Sequence, residues 1–251
     1  MMGAMTIMPG AEPISLAGSD VGVLLCHGYP STPQSLRGWA EYLGAAGYTV
    51  EVPLLPGMGT TWQDLNATQW QDWYGEVERV YHELSGRCRV VFAAGLSMGG
   101  LLVTKLAQEQ PDLAGLVLVN PIYTHNNPAR PLLPVLRHLL PSLPGPAGDI
   151  KKPGVVELAY DRNPLHAMYS QTLLWRIVVE DLPQLTLPVL LLTSRTDHVV
   201  PPKSWKTFLD RVGSTDVTQV VLENSYHVAT MDNDAELIFA ESAAFFERHR
   251  G

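Results

Sequence analysis

Arg89-Val-Val-Phe-Ala-Ala-Gly-Leu-Ser-Met-Gly-Gly-Leu-Leu-Val-Thr-Lys-Leu106 is the stretch whose reading decides the fold. Arg89–Ala94 reads as a short buried strand, 95–99 as a tight turn, and Gly100–Gln108 as a helix. Ser97 lies at the apex of the turn, inside Gly95-Leu96-Ser97-Met98-Gly99. This is the G-x-S-x-G elbow, placed between a strand and a helix as the motif requires. The five residues alone are a weak signal, since average glycine and serine usage produces them in roughly one chain in ten of this length. The flanking glycines have a steric reason: strand and helix approach too closely there for a Cβ. The turn lifts the serine Oγ clear of the sheet. It also aims the first free amides of the helix, with their partial positive charge, at whatever the serine approaches.

Outward from this stretch the same alternation repeats. Val21-Gly-Val-Leu-Leu-Cys26 is a near-continuous apolar run, the pattern of a strand buried on both faces. It ends in His27-Gly28-Tyr29-Pro30. Ser31–Leu43 reads as a helix, with Leu36, Trp39, Tyr42 and Leu43 on one side. Tyr48–Leu54 reads as a strand and Thr68–Leu84 as an amphipathic helix. The stripe of that helix, from Trp70 and Trp73 through Val77 to Leu84, has core spacing rather than the look of a ligand box. Gly115–Asn120, Val189–Ser194 and Val217–Leu222 read as further strands, and Lys203–Arg211 and Ala235–Arg248 as helices. Ile14–Leu16 is a candidate edge strand, and residues 1–13 are expected to be loose. Strand and helix in alternation imply a mostly parallel sheet with helices on both faces, an α/β fold. The alternation breaks between Pro121 and Pro188, which hold eleven of the 20 prolines and no clear strand. Residues 122–186 are therefore expected to be an insertion within a single domain spanning 1–251.

Composition bounds the rest. The 251 residues are 46% hydrophobic, enough for one sizeable core and short for two full domains. No apolar run approaches the roughly 18 residues of a membrane span. Met1–Gly10 has no basic residue and no continuous apolar core, which argues against a secretory signal and for a cytoplasmic enzyme. The net charge of −8, with no Lys/Arg run, argues against a nucleic-acid partner. Cys26 ends one expected strand and Cys88 precedes another. On parallel neighbouring strands they sit roughly 20 Å apart, at about 3.3 Å per residue, which is too far for a disulfide. The histidines show no ligand spacing, so no metal site is expected. No cofactor is expected either.

A serine that attacks an acyl carbon needs a base, and the base needs an acid to orient it. With an elbow of this kind the chain order is serine, then Asp or Glu, then His. Asp197 follows the strand Val189–Ser194 and His227 follows Val217–Leu222, so Ser97, Asp197 and His227 all fall at strand carboxyl ends. His198 adjoins the acid, but a neighbour on the same loop cannot easily reach both Asp197 and Ser97. Asp216 lies at the wrong end of its strand, Asp161 and Asp181 fall in the insertion, and His82 and His249 lie on helices. The oxyanion formed during acyl transfer needs two amides. The Met98 and Tyr29 N–H groups are the candidates, leaving the Tyr29 side chain free to wall the acyl site.

With these residues in place the chain resembles the α/β-hydrolase superfamily, and within it the bacterial monoacylglycerol lipases and closely related small carboxylesterases. The resemblance spans roughly 21–248. It rests on Gly22–Gly28, Ala46–Val50, Gly95–Gly100, Glu157-Leu-Ala-Tyr160, Asp197–Pro202 and Asn224–Thr230. It implies an α/β-hydrolase fold with 122–186 as a cap inserted after the sixth strand of the fold. It also implies hydrolysis of a monoacylglycerol or, alternatively, of short- to medium-chain esters generally. Leu132, Leu133, Val135, Leu136, Leu139, Leu140 and Leu143 crowd the expected cap. They suit an acyl tunnel, transient contact with a lipid surface, or packing on the core. Glu157 is the candidate to bind a polar alcohol group, because glycerol needs hydrogen-bond partners in an otherwise apolar pocket. A solvated glutamate on a helix surface is the alternative.

Overall fold

Apolar runs become neighbours in one sheet. A computed structural model describes residues 6–128, 130–145 and 148–251. In chain order the elements are β1 (Ile14–Leu16), β2 (Val21–Cys26), α1 (Arg37–Ala45), β3 (Thr49–Val52), α2 (Trp62–Asn66), α3 (Trp70–Ser85), β4 (Val90–Leu96), α4 (Met98–Glu109) and β5 (Leu116–Val119). The insertion then contributes α5 (Leu133–Leu139), β6 (Ser142–Pro144), β7 (Arg162–Pro164) and α6 (Leu165–Asp181). The alternation resumes with β8 (Val189–Ser194), α7 (Lys203–Leu209), β9 (Val217–Leu222) and α8 (Ala235–His249). The main sheet has seven strands in the order β1-β3-β2-β4-β5-β8-β9. Only the edge strand β1 runs antiparallel to its neighbour. The strand before the insertion, sixth by the fold's own count, is the fifth along this chain.

Successive residues of the inner strands feed opposite layers. Leu24 and Cys26 join Trp73, Val77, Leu101, Leu106 and Phe208 on one face, where α3, α4 and α7 pack. Val21, Val23 and Leu25 join Trp39, Leu43, Phe239, Phe245 and Phe246 of α1 and α8 on the other. The tryptophan stripe is core: Trp73 is fully buried, and its indole N–H donates to Thr68 and Pro56. β3 stops before Pro53, which has no N–H to continue the ladder. The helix expected from Ser31 begins as a 3₁₀ turn over Pro33–Leu36 before α1. Cys26 and Cys88 are buried free thiols.

Three sequence expectations change. Residues 1–5 lie outside the described residues, but 8–11 are not loose: the Met8 amide donates to the Gly59 carbonyl at 2.7 Å and Ala11 is fully buried. The insertion holds a small sheet after all, β6 antiparallel to β7. Each of its strands has three residues and includes a proline, too short for periodicity to reveal. Glu157 lies in a segment that is neither helix nor strand.

The elbow depends on Gly99. A Cβ there would lie 1.9 Å from the Cys26 carbonyl oxygen and 2.7 Å from that of His27, both backbone atoms that cannot swing aside. Gly99→Ala is therefore expected to cost about 3 kcal/mol or more. Denaturant unfolding checks this, and a loss below about 1 kcal/mol would contradict the packing argument.

Candidate active site

Four strand carboxyl ends meet at one edge of the sheet, and each supplies a residue: β4 leads to Ser97, β5 to Asn120, β8 to Asp197 and β9 to His227. Ser97 is buried, with φ 56° and ψ −116°, in the left-handed region that side chains avoid. Such a backbone costs of order 1–3 kcal/mol and persists only where its surroundings hold it. Here the Ser97 amide donates to the Val119 carbonyl at 2.9 Å, and the Ser97 carbonyl accepts from Leu101 and Ile122. Gly95 and Gly99 allow the close approach: a Cβ on Gly95 would lie 2.4 Å from the Gly99 carbonyl carbon.

His227 Nδ1 is 2.8 Å from Asp197 Oδ2, and both side chains are almost wholly buried. Asp197 Oδ1 accepts the amides of Val199 and Val200 at 2.8 and 2.7 Å. A carboxylate only accepts, so Nδ1 carries the proton and Nε2 keeps its lone pair. Burial of Asp197 works to raise its pKa, but the His227 charge and the three hydrogen bonds outweigh it and hold the carboxyl below its usual range. For His227 burial works downward. The Asp197 charge and hydrogen bond outweigh it, with Glu157 and Asp149 adding to them, and the imidazole ends above its ordinary range. The result is an ionised acid and a basic Nε2.

The structure brings Asp197 and His227 together directly. Ser97 is tied to them through backbone and Asn120, without a hydrogen bond from its Oγ to His227 among the described residues. Asn120, with φ 44°, donates to the His227 carbonyl at 2.8 Å and to Ser194 Oγ at 2.9 Å, while its own oxygen accepts the Ser194 amide at 2.7 Å. This buried amide locks the ends of β5 and β8 to the His227 loop. Sequence reading passed over it, although an asparagine closing an apolar strand is a visible signal for a left-handed residue. Asp149 was also missed. It lies in a glycine- and proline-rich stretch with no periodic context.

His27 and Gly28 shape the loop opposite the elbow. The Leu55 amide donates to His27 Nε2 at 3.2 Å, so Nδ1 carries the proton and donates to the Gly28 carbonyl at 2.9 Å. Burial pushes the His27 pKa down to about 4, so the ring is neutral and structural. A Cβ on Gly28 would come within 3.3 Å of Ser97 Cβ, so the loop passes closely over the serine. Neither the Tyr29 nor the Met98 N–H donates to backbone among the described residues. The Tyr29 side chain is less free than expected: its hydroxyl donates to the Pro164 carbonyl at 3.1 Å and its ring lies against Trp73.

The other candidates fall elsewhere. His198 Nδ1 pairs with Asp149, not Asp197. Asp216 lies 3.8 Å from His249, away from the elbow. Glu157 Oε2 accepts the Gly148 amide at 3.0 Å, and its charge acts on His227. Five of the cap residues named above, Leu132, Val135, Leu139, Leu140 and Leu143, are 41–71% exposed, so they cannot line a closed tunnel. A cleft of about 540 Å³ lies beside α5, between His125, Arg130, Tyr169 and Lys203, and Ser97 does not line it. The hydrogen-bonded geometry, not cleft size, marks the elbow as the candidate site.

The serine aminopeptidase S33 family (Hydrolase_4) matches residues 19–234. The chain belongs to this family. Thermostable monoacylglycerol lipase of Bacillus sp. (strain H-257) is 39% identical over 250 residues, covering 98% of each chain. A carboxylesterase of Bacillus subtilis (strain 168) is 24% identical over 243 residues, covering 94% of this chain and 96% of its own. A solved structure from LipS and LipT, two metagenome-derived lipolytic enzymes, is 40% identical with TM-score 0.94, covering 97% of this chain and 100% of that one. The fold is that of the α/β-hydrolases, and the family is one of serine hydrolases. Among the described residues, no helix is long and apolar enough to cross a membrane.

Proposed function

We propose that this chain hydrolyses monoacylglycerols to free fatty acid and glycerol through an acyl-enzyme on Ser97. The observation that carries the reading is the buried His227–Asp197 pair, 2.8 Å apart, at the same carboxyl end of the parallel strands as the serine elbow. The 39% identity to a monoacylglycerol lipase supports the substrate class. His227 Nε2 takes the Ser97 proton as Oγ bonds to the ester carbonyl carbon. The carbonyl electron pair becomes an oxyanion between the Met98 and Tyr29 amides. The oxyanion collapses, the alcohol leaves with the proton from His227, and the acyl group stays on Oγ. Water then repeats the sequence, losing its proton to His227 and releasing the acid and Ser97.

Glu157 takes a glycerol hydroxyl as a charged acceptor. The exposed cap leucines, with Arg137 and His138 in the last turn of α5, suit transient contact with the lipid surface that presents the substrate. Two free thiols fit a reducing, cytoplasmic setting. A second reading, a general carboxylesterase, is supported by the 24% identical carboxylesterase.

Glu157→Gln separates the two. It keeps an acceptor for Gly148 and removes the charge that a glycerol hydroxyl would meet. Above the acid limb of the pH profile, kcat/KM for a monoacylglycerol is expected to fall about tenfold, in line with a charged hydrogen bond of roughly 1.5–3 kcal/mol. Hydrolysis of a simple aryl ester is expected to stay within about threefold. Equal losses on both esters, or equal rates on mono-, di- and triacylglycerols in the unsubstituted chain, favour the general esterase.

A further inference from the structure

Asp149 belongs to the cap insertion, yet its acceptors are used on the loops behind the elbow. Oδ2 accepts the backbone amide of His227 at 3.1 Å and that of His198 at 3.2 Å. Oδ1 lies 2.8 Å from His198 Nδ1, and the Asp149 carbonyl accepts the Val228 amide at 3.1 Å. One residue thus bonds both the loop that carries His227 and the neighbour of Asp197. The contact is sheltered on the Asp149 side, where the side chain is 16% exposed.

The surrounding segment reinforces it. Buried Asp232 accepts the amides of Lys151, Lys152 and Tyr226 at 2.7, 2.9 and 2.9 Å, which joins the 149–152 strap to the 226–228 loop. On the other side of Asp149, the Gly148 amide is held by Glu157. The loop that carries His227 is therefore held from two sides. Asn120 grips its carbonyl from the sheet, and Asp149 grips its amide from the cap.

We propose that Asp149 is a positioning residue for the Ser97 site, a cap carboxylate that fixes the His227 backbone and, through His198, the loop that carries Asp197. The proposal rests on the Ser97–His227–Asp197 reading and adds to it a second carboxylate that touches neither substrate nor reacting atoms. Misplacing a catalytic group by about 1 Å costs on the order of a hundredfold in rate, so a backbone anchor one bond from His227 has leverage on kcat.

The charges around the imidazole give a readout that mere bolting would not move. The Asp197 charge acts on it from the loop after β8, and the charges of Glu157 and Asp149 act on it from the insertion. The Lys151 ammonium lies over the Tyr226 ring at 6.0 Å, and the His198 ring meets the same tyrosine edge-on. Each carboxylate favours the protonated imidazole. Removing the Asp149 charge therefore moves His227 protonation, and with it the acid limb of activity, to lower pH.

The test measures kcat and KM from about pH 5 to about pH 9 on a soluble ester, with the full chain and with Asp149→Asn and Asp149→Ala. Asp149→Ala is expected to lower kcat about 10- to 100-fold, with KM within about threefold. Asp149→Asn keeps one acceptor, so most of kcat is expected to return while the acid limb stays displaced downward. Should the alanine variant not fold, the asparagine variant carries the test. A folded Asp149→Asn with an unchanged limb, beside an Asp149→Ala with kcat within twofold of the parent, overturns the proposal. Fluorophosphonate labelling of the unsubstituted chain separates the two levels. Without labelling the serine reading itself fails, and with labelling a null result removes only the role of Asp149.

Discussion

Ser97→Ala is expected to lower kcat on an acyl ester by about 10³-fold or more and to abolish labelling by a fluorophosphonate. On the proposed mechanism the substitution removes the atom that forms the acyl bond, while the proposed oxyanion donors, the amides of Met98 and Tyr29, and the binding surface remain. The residual rate is then what positioning and oxyanion binding supply to attack by water. The fold should survive, because the elbow is held by backbone: Ser97 N–H to Val119, and the Ser97 carbonyl to Leu101 and Ile122. Ser97→Gly adds a control. Its backbone accepts φ 56° freely, so relief of strain is expected to raise stability by about 1 kcal/mol while activity is lost. Chemical denaturation and a coupled ester assay on the two variants check both statements. Activity within tenfold of the parent in either variant would falsify the nucleophile assignment.

The elbow was legible because its causes are local. Gly95 and Gly99 stand where a Cβ would collide with backbone, and the short apolar run before this tight turn reads as a buried strand. Asp197 and His227 were legible for a different reason. Each follows an apolar strand by a few residues, and parallel strands bring their carboxyl ends to one edge whatever lies between them. The structure puts those two side chains in hydrogen-bond contact across 30 positions of sequence. His198 shows why loop geometry outranks residue type: it adjoins Asp197 in sequence yet pairs with Asp149.

The insertion resisted reading because nothing local decides it. Leucine spacing states that a helix has an apolar side, not what covers that side, and Leu132, Val135 and Leu139 turn out to be exposed. β6 and β7 pair across the rest of the insertion with three residues each, below the length at which alternation carries information. Asp149 has the same difficulty in sharper form. Its value lies wholly in partners some 49 and 78 positions away, and its own neighbours in sequence give no pattern. Asn120 is intermediate. Its place at a strand end is visible in sequence, but the three groups it joins, two on Ser194 at the end of β8 and one on the His227 loop, are not.

Asp197→Asn should produce the other large effect, through the proton on His227 and not through lost packing. The side chains have nearly the same shape, and the Val199 and Val200 amides select what occupies the Oδ1 position. Both are donors, at 2.8 and 2.7 Å, so they turn the amide oxygen toward themselves. The –NH₂ group then faces His227 Nδ1, where Asp197 Oδ2 stood. Two donors cannot share that contact, so Nδ1 gives up its proton and the proton moves to Nε2. An Nε2–H cannot accept the serine proton, and kcat is expected to fall about 10⁴-fold near neutral pH with little change in KM. The pH dependence moves as well. In the parent chain Asp197 helps to hold the imidazole above its ordinary range, so activity is present above that raised value and is lost as pH falls through it. Without the carboxylate the protonated ring loses its chief partner, burial acts unopposed by that charge, and the acid limb of the small residual activity shifts to lower pH. A pH profile of kcat for Asp197→Asn, set beside its melting temperature, tests the argument. A loss under tenfold, or a limb that stays where the parent has it, would show that His227 is not oriented by Asp197.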